Sequence, residues 1–275
     1  MVDLDRKIYL GVRDLIYARS GLFFEEKKFY FLRRRIDQRV EDVGASSVLD
    51  YFQMLRLGRD STEIQALCES VTTNETYFFR EFPQLKAFAD VCLPEVLAEK
   101  RKRGDYNLRV WSAACSTGDE AYTLAIILRE VIDDFDKWVV TLFATDIDRE
   151  ALRTARKAIY TERAGKDVPV VYRQKYFQPE GYTYRVSPLI TRMVQFRHAN
   201  LMDPAVAGEM TGQDFVFCRN VLIYFDDASR RRTLELFYDA LRPGGYIFLG
   251  HSESVGRITS AFRLLRKSDQ LVYMK

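Results

Sequence analysis

Two stretches of the chain combine residue types and spacings suited to chemistry. An apolar run, Leu108 to Ala114, leads into Cys115-Ser116-Thr117-Gly118-Asp119-Glu120-Ala121-Tyr122. A small-residue turn with one glycine lets the backbone approach a ligand, and the helix that follows offers N–H groups without intrahelical partners. A second apolar run, Val139 to Thr145, ends in Thr145-Asp146-Ile147-Asp148, which puts Asp146 at a strand tip. A carboxylate there can accept hydrogen bonds from both hydroxyls of a ribose. The pair points to a nucleoside-containing cofactor. A nicotinamide oxidoreductase shares these features, but that class wants G-x-G-x-x-G and this turn has one glycine. A tight strand-to-helix connection capped by Asp119 would explain the turn with no ligand at all.

Other constellations are weaker. His198 and His251 are the only histidines, so the chain offers no good general base. Gly250-His251-Ser252-Glu253-Ser254 approaches the G-x-S-x-G nucleophile elbow but ends in serine, which argues against hydrolase chemistry and leaves His251 as pocket support. Cys68, Cys92, Cys115 and Cys218 are widely spaced with no C-x-x-C pair, so neither a metal site nor a disulfide framework is expected. Cys115 and Cys218, near strand ends, read as small buried apolar residues.

The elements that must position these residues form two textures. Up to about residue 75 the chain reads as short helices: Val12, Leu15 and Ile16 recur at helical spacing, as do Leu32, Ile36, Val40 and Val43. Gly44 and Gly58 sit at helix ends, and Ser47 with Asp50 and Asp60 with Glu63 mark helix starts. Beyond it, Pro83 suits a first helical turn running toward Val91, and Pro94 a second helix that ends at the basic run Lys100 to Gly104. Strands and helices then alternate: strands at 108–114, 139–145, 215–218 and 246–250, helices at 120–131, 149–158 and 228–241, and a terminal hairpin from 262–266 and 270–274. This pattern predicts an α/β fold with a doubly wound, Rossmann-like parallel sheet and a final antiparallel hairpin. The stretch 168–196, rich in Tyr, Val and Thr around Pro179-Glu180-Gly181, breaks the alternation and predicts a small antiparallel β insertion. The expected domains are therefore 1–75, helical, and 76–275, carrying the sheet.

At 275 residues, 47% hydrophobic, the chain can fill such a core. A net charge of +3 lacks the basic excess of a nucleic-acid coat. No eighteen-residue apolar run occurs and the N-terminus has no signal-peptide pattern, so a soluble, cytoplasmic protein without membrane insertion is expected. A monomer is the default expectation.

Read in order, TTNETYFFRE, WSAACSTGDEAYT, ATDIDREAL, FCRNVLIYFD and LRPGGYIFLGHSES closely resemble the CheR-type methyltransferases, which modify glutamates of chemoreceptors. The resemblance covers nearly the whole catalytic half and, more weakly, the helical part. It implies a class I methyltransferase sheet, S-adenosylmethionine as cofactor and the cytoplasmic domains of chemoreceptors as partners. Carried over by motif position, cofactor contacts fall on Asn74, Thr76, Arg80, Glu120, Asp146, Asn200, Leu201, Arg219 and Asn220. Arg80 and Tyr224 fall at the reaction centre. One departure is Asp119, where glutamate is more usual.

The implied chemistry suits this residue set. A glutamate nucleophile, with an ordinary pKa of about 4.3, is already ionised at neutral pH and needs no base. Arg80 would then pair with the cofactor's carboxylate or orient the substrate's, and Tyr224 would position the methyl group or the incoming carboxylate. The run Lys27, Lys28, Arg33, Arg34, Arg35 and Arg39 against one acid, Asp37, reads either as a solvated helix face or as a docking surface for acidic receptor helices. Some family members bind a receptor's C-terminal peptide on the β insertion; the short, glycine-poor turn here predicts an enzyme that works without that tether. The alternatives are a regulatory module that binds S-adenosylmethionine without turnover and a methyltransferase acting on RNA or a small molecule.

Overall fold

The computed structural model describes residues 2–58 and 61–275. The chain divides into two compact units, one ending at Thr73 and including Tyr224–Arg230, the other comprising Asn74–Ile223 and Arg231–Lys275.

The first unit contains helices α1 (Val2–Ser20), α2 (Phe29–Asp42), α3 (Val48–Arg56) and α4 (Ser61–Ser70). Their spaced apolar residues meet in one core that includes Val12, Ile16, Leu32, Ile36, Tyr51 and Leu67. Burying each aliphatic side chain stabilises the unit by roughly 1.5–3 kcal/mol relative to exposure. Gly44 and Gly58 adopt left-handed φ values of 67° and 60° at helix ends, a conformation glycine takes without a Cβ penalty. Ser47 caps α3 by accepting the amide of Asp50 at 3.1 Å. Asp60 lies outside the described residues. Glu63 stands in the first turn of α4, as expected, and is buried there, accepting hydrogen bonds from Arg39 Nε at 3.0 Å and from Tyr51 Oη at 2.6 Å. The same unit takes in a later segment: Leu22 and Phe225 form an antiparallel bridge, and the amide of Phe23 donates to Tyr224 O at 2.9 Å.

The second unit is built on strands β1 (Asn107–Ala113), β2 (Val139–Asp146), β3 (Ile159–Thr161), β4 (Phe177–Glu180), β5 (Thr183–Val186), β6 (Val194–His198), β7 (Gln213–Cys218), β8 (Leu241–Leu249), β9 (Arg263–Lys267) and β10 (Gln270–Met274). Seven form one sheet in the order β6-β2-β1-β7-β8-β10-β9, with β10 antiparallel to both neighbours and the remaining pairs parallel. The expected α/β sheet with its terminal hairpin is present. Strand order switches direction between β1 and β7, so the crevice beyond their C-terminal ends is where such a sheet binds ligands. The Pro243-Gly244-Gly245 turn is absorbed within β8 as an irregularity, its register with β7 jumping from Gln213↔Leu241 to Phe215↔Tyr246.

Helices α5 (Phe82–Ala87) and α6 (Leu93–Lys102) are joined by a π-helical turn, Phe88–Cys92. This widened turn accommodates Pro94, which lacks the N–H that a regular helix would use. It also directs Phe88 into edge-on contact with Phe215, Phe217 and Phe248 at 5.0, 5.0 and 5.7 Å.

The stretch 168–196 differs from expectation. The antiparallel insertion is a three-stranded sheet in the order β3-β5-β4, so it starts earlier, at Ile159. Residues Val170–Tyr176 are helical, and Val194–His198 belongs to the large sheet as the parallel neighbour of β2. The β-rich composition was real; what composition could not give was the partner of each strand.

Candidate cofactor and methyl-transfer site

The first sequence signal folds into a strained turn. Ala114, Ser116 and Gly118 all adopt left-handed φ, at 59°, 50° and 90°. Gly118 is the residue that precedes helix α7 (Asp119–Val131). A Cβ on it would meet Ala155 Cβ at 2.9 Å and Phe196 Cζ at 3.1 Å, so glycine is needed for both space and backbone angle. Asp119 does not cap α7 with its side chain; it lies inside the first turn, buried, accepting the Thr117 hydroxyl at 2.7 Å. Burial pushes its pKa up to about 6.

The turn docks directly on the second signal. Asp146 accepts the amide of Ser116 at 2.7 Å through Oδ2 and that of Asp148 at 2.8 Å through Oδ1. Burial raises its pKa to about 6, against the lowering effect of these amides. Each carboxylate oxygen has a second lone pair, so Asp146 retains acceptor capacity. Asn74 reaches the same place, donating to Asp148 Oδ2 at 2.6 Å and accepting from the Ser116 hydroxyl at 3.2 Å. Ala199 donates to Asp146 O at 3.0 Å, which brings Asn200 and the buried Leu201 beside the β2 tip. Asn200 is set by an Asx turn to the amide of Met202 at 2.9 Å.

A second group gathers at the β1–β7 switch. Arg219, at the end of β7, is almost fully buried. It donates to Arg80 O at 2.5 Å and to Glu81 at 3.2 Å, and it pairs with Glu120 at 3.3 Å. Glu120 also accepts the Ser112 hydroxyl at 2.8 Å; burial raises its pKa, with Arg219 opposing. At Glu81 burial acts upward too, yet the charge of Arg219 and the Asn220 amide bring its pKa below the ordinary carboxylate value. Asn220 and Glu81 are both left-handed, at φ 61° and 55°. Non-glycine residues in this region cost of order 1–3 kcal/mol and cluster at functional sites.

Thr76 and Arg80 are half-buried in the segment leading to α5. Arg80 donates to Glu75 O at 2.8 Å, and its guanidinium lies 5.6 Å from the Tyr77 ring centre. Its side chain makes no ion pair among the described residues. Tyr224, half-buried, belongs to the helical unit, where Lys28 Nζ lies 5.8 Å from its ring centre. The structure thus brings Asn74, Asp146, Asn200 and Leu201 to one end of the sheet crevice, and Glu120, Arg219 and Asn220 to the other. His251 is exposed rather than part of a pocket floor, and His198 faces Ile147 O at 3.1 Å. All four cysteines are buried and unpaired, and burial raises the thiol pKa of each, as expected of inert residues.

Sequence reasoning missed Ser116, Asp148, Glu81 and Glu253. Only Asp148 carried a readable signal, since an aspartate directly before Arg149-Glu150-Ala151-Leu152 is a helix cap; it accepts the amides of Glu150 and Ala151 at 2.8 and 3.0 Å.

Residues 74–271 match the family described as CheR methyltransferase, SAM binding domain, and residues 9–72 match its all-alpha domain. The chain belongs to the CheR methyltransferase family. It is 38% identical over 265 residues to chemotaxis protein methyltransferase 2 of Vibrio cholerae, covering 96% of this chain and 91% of that protein. It is 35% identical to chemotaxis protein methyltransferase 2 of Pseudomonas aeruginosa over 98% of this chain and 92% of that one. It is also 35% identical to the chemotaxis protein methyltransferase of Escherichia coli, over 92% and 86%. The CheR fold identified here is therefore that of an S-adenosylmethionine-dependent methyltransferase in chemotaxis.

The residues present fit that cofactor. Asn220 Oδ1 and Arg219 Nε are buried without a hydrogen-bond partner among the described residues, one an acceptor and one a donor. Unpartnered buried polar atoms are costly, and a zwitterionic amino-acid end supplies both complements.

Proposed function

We propose that this enzyme esterifies glutamate side chains in the cytoplasmic domains of chemoreceptors, working as a monomer in the cytoplasm. No helix among the described residues is long and apolar enough to cross a membrane. The observation that carries the reading is the charge arrangement at the β1–β7 switch. There two carboxylates, Glu81 and Glu120, share the single guanidinium of Arg219, leaving net negative charge beside unpartnered polar atoms. When bound, S-adenosylmethionine supplies a methyl group on a cationic sulfur.

In this reading Asp146 accepts from the ribose, with Asn74, Thr76, Asn200 and Leu201 completing that end. Glu120, Arg219 and Asn220 hold the amino-acid end. Arg80, free of a carboxylate partner, pairs with the cofactor's carboxylate or orients the substrate's, and Tyr224 directs the incoming glutamate. The nucleophile arrives ionised, so these residues contribute positioning and water exclusion rather than proton transfer.

Incubation with methyl-labelled S-adenosylmethionine and receptor cytoplasmic fragments tests the proposal. Base-labile label on receptor glutamates is expected. Cofactor binding without transfer would favour a regulatory module, and label on RNA or a small molecule would replace the substrate.

A further inference from the structure

Glu253 lies in the turn after β8, and its side chain is buried. Its carboxylate collects backbone amides from two loops. Oε2 accepts from Gly250 at 2.6 Å and Asn220 at 2.9 Å, and Oε1 accepts from Val221 at 2.8 Å and Ile223 at 3.3 Å. Residues 220–223 leave β7 for a one-turn helix whose first amides have no backbone acceptor, and Glu253 supplies it from the turn after the neighbouring strand β8. The fit is close: a Cβ on Gly250 would meet both Asn220 N and Glu253 Oε2 at 2.8 Å.

Asn220 is thereby gripped twice. Glu253 holds its backbone, and Glu81 Oε1 accepts its Nδ2 at 3.2 Å. With Nδ2 committed to a carboxylate, the amide cannot flip, and Oδ1 is left as a buried acceptor of fixed direction. Left-handed φ at Asn220 persists because both contacts favour it.

We propose that Glu253 and Glu81 are positioning residues that set Asn220 for cofactor binding, Glu253 through the backbone and Glu81 through the side chain. The proposal rests on the reading of Asn220 as a cofactor contact. A glutamine at 253 would present one oxygen and turn an NH2 toward two N–H donors, and an aspartate would fall one methylene short.

The test is titration calorimetry of the full chain with S-adenosylhomocysteine. Glu253→Gln is expected to weaken binding about tenfold at a stoichiometry near one, the equivalent of one misplaced hydrogen bond of roughly 1.4 kcal/mol. Glu253→Asp should recover part of the loss, and Glu81→Gln should weaken binding roughly threefold. Binding by Glu253→Gln within about twofold of wild type, or lowered stoichiometry at unchanged affinity, would overturn the inference. Where Glu253→Gln does not fold, Glu81→Gln decides, its side chain being partly exposed; unchanged affinity there overturns the proposal. A wild-type chain that binds no S-adenosylhomocysteine would instead sink the functional reading on which the inference stands.

Discussion

Asn74 donates through its side-chain amide to Asp148 Oδ2 at 2.6 Å, tying the first residue of the catalytic unit to the cap of α8 (Arg149–Lys157). Asp148 therefore has two separable tasks. One oxygen caps α8 and the other holds Asn74 beside the Ser116 turn. Asp148→Ala should lose both, with about 1 kcal/mol of stability from the cap and about tenfold in S-adenosylhomocysteine affinity. Asp148→Asn keeps a capping oxygen but turns an NH2 toward Asn74, so its affinity should fall while its melting temperature stays closer to wild type. Equal loss of stability and unequal affinity in the opposite sense would disprove this division of labour.

The catalytic sheet was legible in the sequence because its central strands are buried on both faces and read as continuous apolar runs, as in Phe215 to Cys218. Asp146 was legible because a strand tip needs no tertiary information to be placed. Glu81 and Glu253 were not: nothing local shows that Glu81 turns left-handed, or that Glu253 reaches amides more than thirty residues upstream in sequence. The same limit hid Tyr224–Arg230, whose place in the helical unit depends on the long-range bridge from Leu22 to Phe225. Strand Val194–His198 looked like part of the insertion because alternating Tyr, Val and Thr do not specify which sheet they join.

Asp119 predicts an unusual pH dependence of stability. Its pKa is raised by burial from 3.8 to about 6, so the folded chain binds this proton more tightly than the unfolded chain. Its contribution therefore favours folding most below about pH 4, declines as pH rises to about 6, and is constant above that. Asp146, raised from 3.8 to about 6, has the same sign. Asp119→Asn should remove its share of the decline and raise the melting temperature at pH 7 relative to wild type, with little difference near pH 4. Melting curves of both proteins between those pH values check the sign; a variant less stable than wild type at pH 7 would refute it.

Charge reversal tests the basic face of α2. Arg33, Arg34 and Arg35 are exposed, whereas Arg39 is committed to Glu63 and Asp42. On α2 itself, the first three are the cations presented to a docking partner, with the exposed Lys27 and Lys28 just ahead of the helix. Replacing all three with Glu should slow receptor methylation at low salt by about tenfold, with the gap narrowing as salt screens the field. Affinity for S-adenosylhomocysteine should not change. Undiminished methylation at low salt would reduce α2 to a solvated face.

The β insertion bears on the proposed receptor substrate. In its order β3-β5-β4 the outer strands are β3 and β4, the edges to which an extended peptide would add. Strand β3 has three residues, and β4 contains Pro179, which has no N–H to give a neighbouring strand. The β4–β5 connection is short, with Gly181 at φ 59° and Tyr182 fully exposed. Neither edge offers a full ladder of donors and acceptors, so a receptor C-terminal pentapeptide should bind more weakly than micromolar. Receptor fragments lacking those last residues should be methylated as fast as intact ones. Micromolar binding in a calorimetric titration, or slower methylation of the truncated receptor, would show that this enzyme uses a tether after all.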